Sequence, residues 1–156
     1  VMQFAGKEDI EAPIDRVFAA LADFTLYERR AIRRGAEIER LNDHSSPRVG
    51  MAWKARFVLR GKPRKIRVEM TQYSAPSLLR FGYVAQGLEG ELTVALVALS
   101  PGRTRMSVVL NLKPRTLSAR LLVQSLRLAR ASLVKRFKLS LADLARTLED
   151  QLGRSA

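Results

Sequence analysis

From Ser118 to Leu152 the chain runs without a proline or a glycine, and Leu122, Leu126, Ala129, Leu133, Phe137, Leu141, Leu144, Leu148 and Leu152 recur at steps of three and four. That period marks one face of an amphipathic helix, so a single long helix is expected over residues 118–152. At 1.5 Å per residue, about 35 residues reach about 50 Å, more than a sheet of ordinary strands is wide, so its end is expected to overhang or bend.

The residues before this helix read mainly as strands. Met51, Trp53, Ala55, Phe57 and Leu59 alternate with Ala52, Lys54, Arg56, Val58 and Arg60, which gives one apolar face and one mostly basic face. After a turn at Gly61-Lys62-Pro63, Ile66, Val68 and Met70 alternate with Lys65, Arg67 and Glu69. Ala75-Pro76-Ser77, Gln86-Gly87 and Pro101-Gly102 then separate three more alternating runs: Leu79 to Tyr83, Leu92 to Ala98, and Arg105 to Lys113. Short turns between consecutive strands favour an antiparallel meander. Upstream, Met2 to Glu11 reads as a strand. Ile14, Val17, Phe18 and Leu21 after Pro13 read as a short helix, and Tyr27 to Arg34 as a second one stopped by Gly35. A strand over Ala36 to Leu41 and a loop over Asn42 to Pro47 complete the order.

The 156 residues suit one domain spanning 1–156, and 47% hydrophobic content suffices for one core with surface left to line a cavity. No run of about 18 apolar residues occurs, and Val1-Met2-Gln3-Phe4 lacks the basic-then-apolar pattern of a secretory signal, so a soluble cytoplasmic protein is expected. Without cysteine, thiolate nucleophiles, disulfides and cysteine zinc sites are excluded. The 28 Lys and Arg outnumber the 15 Asp and Glu to give a formal charge of +13, enough to draw the protein towards nucleic acid, anionic lipid or an acidic partner.

The order strand, two short helices, six strands and a long helix resembles the START-related superfamily of lipid-transfer proteins and polyketide cyclases (SRPBCC), which share the helix-grip fold. The resemblance covers most of the chain. It is carried by Ile10-Glu11-Ala12-Pro13-Ile14-Asp15-Arg16-Val17-Phe18 with Leu21 and Asp23, by Val49-Gly50-Met51-Ala52-Trp53 and Gly61, and by Ser74-Ala75-Pro76-Ser77-Leu78-Leu79 and Gly102-Arg103-Thr104-Arg105-Met106. Members often carry a tryptophan a few residues after the Asp that ends the first helix; here that stretch reads Phe24-Thr25-Leu26-Tyr27-Glu28-Arg29-Arg30. The resemblance implies an α+β fold, a curved antiparallel sheet of about seven strands wrapped around the C-terminal helix. It further implies a cavity between sheet and helix for a lipid, sterol, isoprenoid or polyketide.

The inward positions then expected to bind a ligand are Trp53, Phe57, Met70, Phe81, Tyr83, Val94, Leu96, Met106 and Leu110, facing Leu126, Leu133 and Phe137 of the helix. The same apolar face would equally serve as packed core. Arg130 interrupts the helical stripe; it either enters the cavity to meet an acidic head group, or reaches solvent or a strand carboxylate such as Glu91. Tyr83 offers a hydroxyl either to a ligand oxygen or to backbone.

No catalytic set, metal site or cofactor is expected. The one histidine, His44, lies in a turn-like loop, and the pairs Glu37/Glu39 and Glu89/Glu91 fall on strand faces that read as solvated. Three functions are compatible with this pattern: a carrier of a hydrophobic small molecule, a polyketide cyclase or dehydratase shaping its substrate in the same cavity, and a basic module for RNA or a ribosome. Basic clusters at Arg29-Arg30 with Arg33-Arg34, at Arg60, Lys62, Arg64, Lys65 and Arg67, and at Lys135-Arg136 with Lys138 admit an anionic membrane or nucleic acid as partner. No exposed aromatic series is interleaved with them as a base-stacking platform requires.

Overall fold

The computed structural model describes residues 2–42, 46–59 and 61–154. His44 and Arg60, singled out above, lie outside the described residues. The chain forms β1 (Met2–Ile10), α1 (Ile14–Leu21), α2 (Phe24–Arg33), β2 (Glu37–Arg40), β3 (Ala52–Leu59), β4 (Lys62–Ser74), β5 (Leu78–Ala85), β6 (Leu88–Ser100), β7 (Arg103–Pro114), α3 (Leu117–Leu128) and α4 (Arg130–Arg154). The seven strands make one sheet in the order β1-β7-β6-β5-β4-β3-β2, and every neighbouring pair is antiparallel. Strands β2 to β7 follow one another as a meander, whereas β1 docks beside β7, so the α1–α2 segment carries the chain from one sheet edge to the other.

The alternation within each strand has the consequence expected of it: Trp53, Ala55 and Phe57 face inward opposite Val68, Ile66 and Arg64 in the β3–β4 register. Lys62 and Pro63, read above as turn, instead belong to β4, because Lys62 pairs with Leu59 and Pro63 with Val58. Gly61, the residue before β4, has φ 74°, a value that suits glycine. Helix α2 starts at Phe24 rather than Tyr27, and Gly35, at φ 95°, closes it as expected.

The long helix is interrupted. Ala129, at φ −102° and ψ 17°, caps α3, and α4 begins at Arg130. Neither proline nor glycine causes the break. The two segments pack on different supports, α3 against β7 and α4 against β1 and α1, and this tertiary demand overrides the continuous period. Segment α3 buries Ala119 and Val123, while α4 buries Leu141, Ala145, Leu148 and Leu152. Gly6 lets α4 approach β1, since a Cβ there would lie 2.6 Å from Leu141 Cδ1.

Two apolar clusters result. The larger joins Ile10, Val17, Phe18, Met70, Leu79, Leu96, Met106 and Leu148 where α1 and α4 cover the sheet. The smaller holds Met2, Phe4 and Val123 under α3 and the start of α4, with Leu110, Leu126, Leu133 and Phe137 packed against it. Thr104, fully buried in this region of close packing, donates its hydroxyl to the Ala12 carbonyl at 2.8 Å.

Candidate functional site: an apolar cleft beneath the second helix

Because α3 and α4 sit over β7 and β1, they leave the inner face of the middle strands to α2. A cleft of ≈ 600 Å³ opens there. Its sheet wall is built by Ile38, by Trp53 and Ala55, by Ile66 and Val68, by Leu79, Phe81 and Tyr83, and by Leu92, Val94, Leu110 and Leu112. Leu21 of α1 and Phe24, Tyr27, Glu28 and Ala31 of α2 form the opposite wall. Phe24, Tyr27, Glu28 and Ala31 recur at three, one and three residues, the inner face of one helix.

Three aromatic rings organise one side of the cleft. Phe24 meets Trp53 edge-on at 5.4 Å and Phe81 edge-on at 5.8 Å, and Trp53 and Phe81 lie 6.3 Å apart. Trp53 Nε1 donates to Glu28 Oε1 at 2.7 Å, Arg40 Nε donates to the same oxygen at 2.6 Å, and an Arg40 terminal nitrogen reaches the Thr25 hydroxyl at 3.1 Å. The Glu28 carboxylate is thereby neutralised at the rim and fixes the indole orientation.

The other polar groups in the wall are also engaged. Tyr27 donates its hydroxyl to the Ala20 carbonyl at 3.2 Å, and Tyr83 donates to the Asn111 carbonyl. The second bond depends on Gly90, which faces Tyr83 across the β5–β6 ladder; a Cβ at Gly90 would lie on the Asn111 carbonyl oxygen and 2.6 Å from the Tyr83 hydroxyl. Burial pushes both phenols up to about 12 from 10.0, with Arg30 opposing the rise at Tyr27, so both are hydrogen-bond donors at neutral pH.

Among the positions expected from the sequence to meet a ligand, Trp53, Phe81, Tyr83, Val94 and Leu110 stand together in this wall. Met70, Leu96 and Met106 lie further along the same strands, under α1 and α4, and are buried in the larger cluster. Leu126, Leu133 and Phe137 pack in the smaller cluster against Met2 and Phe4, because α3, which carries the first, rests on β7 and α4, which carries the other two, rests on β1. No residue of α3 or α4 lines this cleft; the C-terminal helix instead borders the neighbouring depression that Phe57 lines.

Arg130, the first residue of α4, is exposed to solvent, and Glu91 pairs instead with Arg80 at 3.5 Å. Phe57 lines a neighbouring, more polar depression of ≈ 740 Å³ bounded by Arg30 of α2, by Arg34 just after it, and by Ser140 and Asp143 of α4; it shares Tyr27 and Ala31 with the cleft. Arg64, opposite Phe57 and one inward position beyond Ile66, has a buried Nε with no hydrogen-bond partner among the described residues.

Sequence reasoning missed the whole α2 contribution. Its signal was present in the spacing of Phe24, Tyr27 and Ala31, with Glu28 as the one acidic residue between Asp23 and Glu37. Among the described residues no group of acidic or histidine side chains is placed to hold a metal ion, and no helix is long and apolar enough to cross a membrane.

A curved antiparallel sheet gripping a C-terminal helix, with an apolar cleft in its concave face, is the helix-grip architecture. Residues 2–149 match the family described as polyketide cyclase / dehydrase and lipid transport, and the chain belongs to that family. The fold is similar to that of the Zhui aromatase/cyclase of Streptomyces sp. R1128, at TM-score 0.69 and 15% identity over 97% of this chain and 95% of that one. It is likewise similar to the protein TTHA0849 of Thermus thermophilus (TM-score 0.66, 16% identity, 99% and 100% covered). A START superfamily protein of Mycobacterium smegmatis matches at TM-score 0.57 and 13% identity, with 86% and 95% covered. No curated protein sequence matches the chain.

Proposed function

We propose that the chain, acting as one domain in the cytoplasm, is a non-enzymatic binder and carrier of a hydrophobic small molecule held in the cleft beneath α2. The observation that carries this reading is the composition of the wall. Of its lining residues only Tyr27, Glu28, Trp53 and Tyr83 bear polar side-chain atoms, and each of these is already satisfied within the protein. A volume of ≈ 600 Å³ suits a small organic ligand, and apolar walls with a few fixed polar groups are the usual form of such a site.

Arg64, one inward position beyond Ile66, suggests a polar end to the ligand, because its buried Nε has no hydrogen-bond partner among the described residues. A buried guanidinium nitrogen without a partner is costly, and a carboxylate or phosphate on a ligand that reached past Ile66, the last wall residue on that side of β4, would satisfy it.

Cyclisation of a polyketide in the same cleft is a second reading, favoured by the family and by the two protonated phenols in the wall. Native mass spectrometry of gently purified protein, followed by solvent extraction, tests the carrier reading. A lipid-like or isoprenoid molecule at near stoichiometry is expected; an empty protein that also fails to take up added fatty acid or isoprenoid overturns it. A bound aromatic polyketide that leaves the protein chemically changed after incubation favours the cyclase.

A further inference from the structure

Helix α3 is apolar on two opposite sides. At about 100° per residue, Ala119, Leu122, Val123 and Leu126 form the side turned to β7, while Leu117, Leu121 and Leu128 fall within about 40° of one another on the other side. Those three leucines are 74%, 58% and 93% exposed. Scattered surface leucines need no explanation, but three aligned on one short helix at such exposure do. Arg120 and Arg127 flank the stripe on one side, both exposed, and Arg130 follows it at the start of α4. Between Glu91 and Asp143 the sequence contains no acidic residue, so this region presents a net positive field.

We infer that the outward side of α3 docks on an anionic lipid bilayer, with Leu117, Leu121 and Leu128 entering the acyl boundary and Arg120, Arg127 and Arg130 meeting the lipid phosphates. A helix with an apolar stripe and a basic flank lies in the plane of such an interface. A second copy of the chain is a poorer occupant, because the same arginines would face one another in a self-complementary contact. Nucleic acid is poorer as well, since it would use the arginines and leave the leucines in water.

The position of α3 also suits the carrier reading, on which only this last step rests. Leu110 and Leu112 belong both to the cleft wall and to the cluster packed under Val123 and Leu126, so a docked α3 would bring the cleft's β7 end to the membrane surface.

Vesicle flotation of the full chain, with phosphatidylcholine alone and with phosphatidylcholine mixed with phosphatidylglycerol, tests the inference. Binding to the mixed vesicles, weakened by added salt, is expected, with little binding to the neutral ones. Replacing Arg120 and Arg127 by Gln should weaken it about fivefold per charge. Leu121→Ser with Leu128→Ser, both at exposed positions, should weaken it at least about tenfold. Circular dichroism and uptake of anilinonaphthalene sulfonate by the cleft should stay unchanged, which separates lost docking from lost folding or lost ligand binding.

Wild-type binding by the leucine variant would overturn the inference. So would equal binding to neutral vesicles, or a dimer that the leucine variant dissociates. Competition by RNA that depends on the arginines but not the leucines would assign the face to nucleic acid and overturn it too. Loss of probe uptake in every form of the protein would sink the carrier reading while leaving the flotation result to stand by itself.

Discussion

The two halves of the sheet's inner face have the same sequence pattern and opposite fates. On β7, Met106 and Val108 are buried whereas Leu110 and Leu112 are only half-buried; on β6, Leu96 is buried and Leu92 and Val94 are not. On β5 the same division separates Leu79 from Phe81, and on β4 it separates Met70 from Val68 and Ile66. The buried half lies under α1 and the C-terminal part of α4, and the open half lies chiefly under α2, with Leu21 of α1 at one side and α3 over Leu110 and Leu112. Period-two alternation therefore decides which side of a strand faces inward, and the helices decide whether that side becomes core or cleft. On the proposed reading, the ligand site is the place where the sheet's apolar face outruns the helices that cover it.

The sharpest way to break this comparison is to truncate one residue in each half of β7. Met106→Ala, at a position fully buried in the larger cluster, should cost roughly 2–5 kcal/mol in urea unfolding, through lost burial and the cavity left behind. Leu110→Ala, at the cleft wall, should cost about 1.5 kcal/mol or less, because the space it leaves joins one already open, and should enlarge the range of ligands accepted. Equal losses at the two sites would mean that the cleft is as tightly packed as the core.

A smaller effect concerns pH and sets Tyr27 and Tyr83 apart from a solvated phenol. Both have folded-state values raised from 10.0 to about 12, chiefly by burial. A raised value means that the folded state holds its protons longer than the unfolded one. The contribution to stability is complete below pH 10 and is lost as pH rises through the window from 10 to about 12. Ultraviolet titration should show two phenols ionising late, together with a falling unfolding midpoint over that window. Ligand in the cleft should delay their ionisation further, and ordinary titration of both would contradict the burial described here.

Much of this architecture was legible beforehand. The alternations around Trp53, Val68, Phe81 and Met106 located the strands and their inward side, and Gly35 and Pro13 bounded the first helices where the structure has them. Three things were not legible, each for a tertiary reason. The helical stripe continues in phase through Ala129, so nothing local announces that α3 and α4 rest on different strands. Glu28 sits among four arginines of a short polar helix, and its role at the rim depends on Trp53 and Arg40, which are distant in sequence. The leucines of α3 were part of the apolar count, but their outward direction follows only once the helix is seated on β7.

Trp53 is the sole tryptophan of the chain and stands in the cleft wall, so it reports directly on the central claim that an apolar ligand enters beneath α2. The decisive measurement is energy transfer from Trp53 to anilinonaphthalene sulfonate, titrated into the wild type and into Val94→Phe, which fills the cleft from its β6 wall. Saturable quenching of Trp53 at one probe per chain, lost in Val94→Phe without loss of fold, is the predicted result. Absence of saturable quenching, or quenching that Val94→Phe leaves unchanged, would contradict the account and return the open half of the sheet to the status of exposed core.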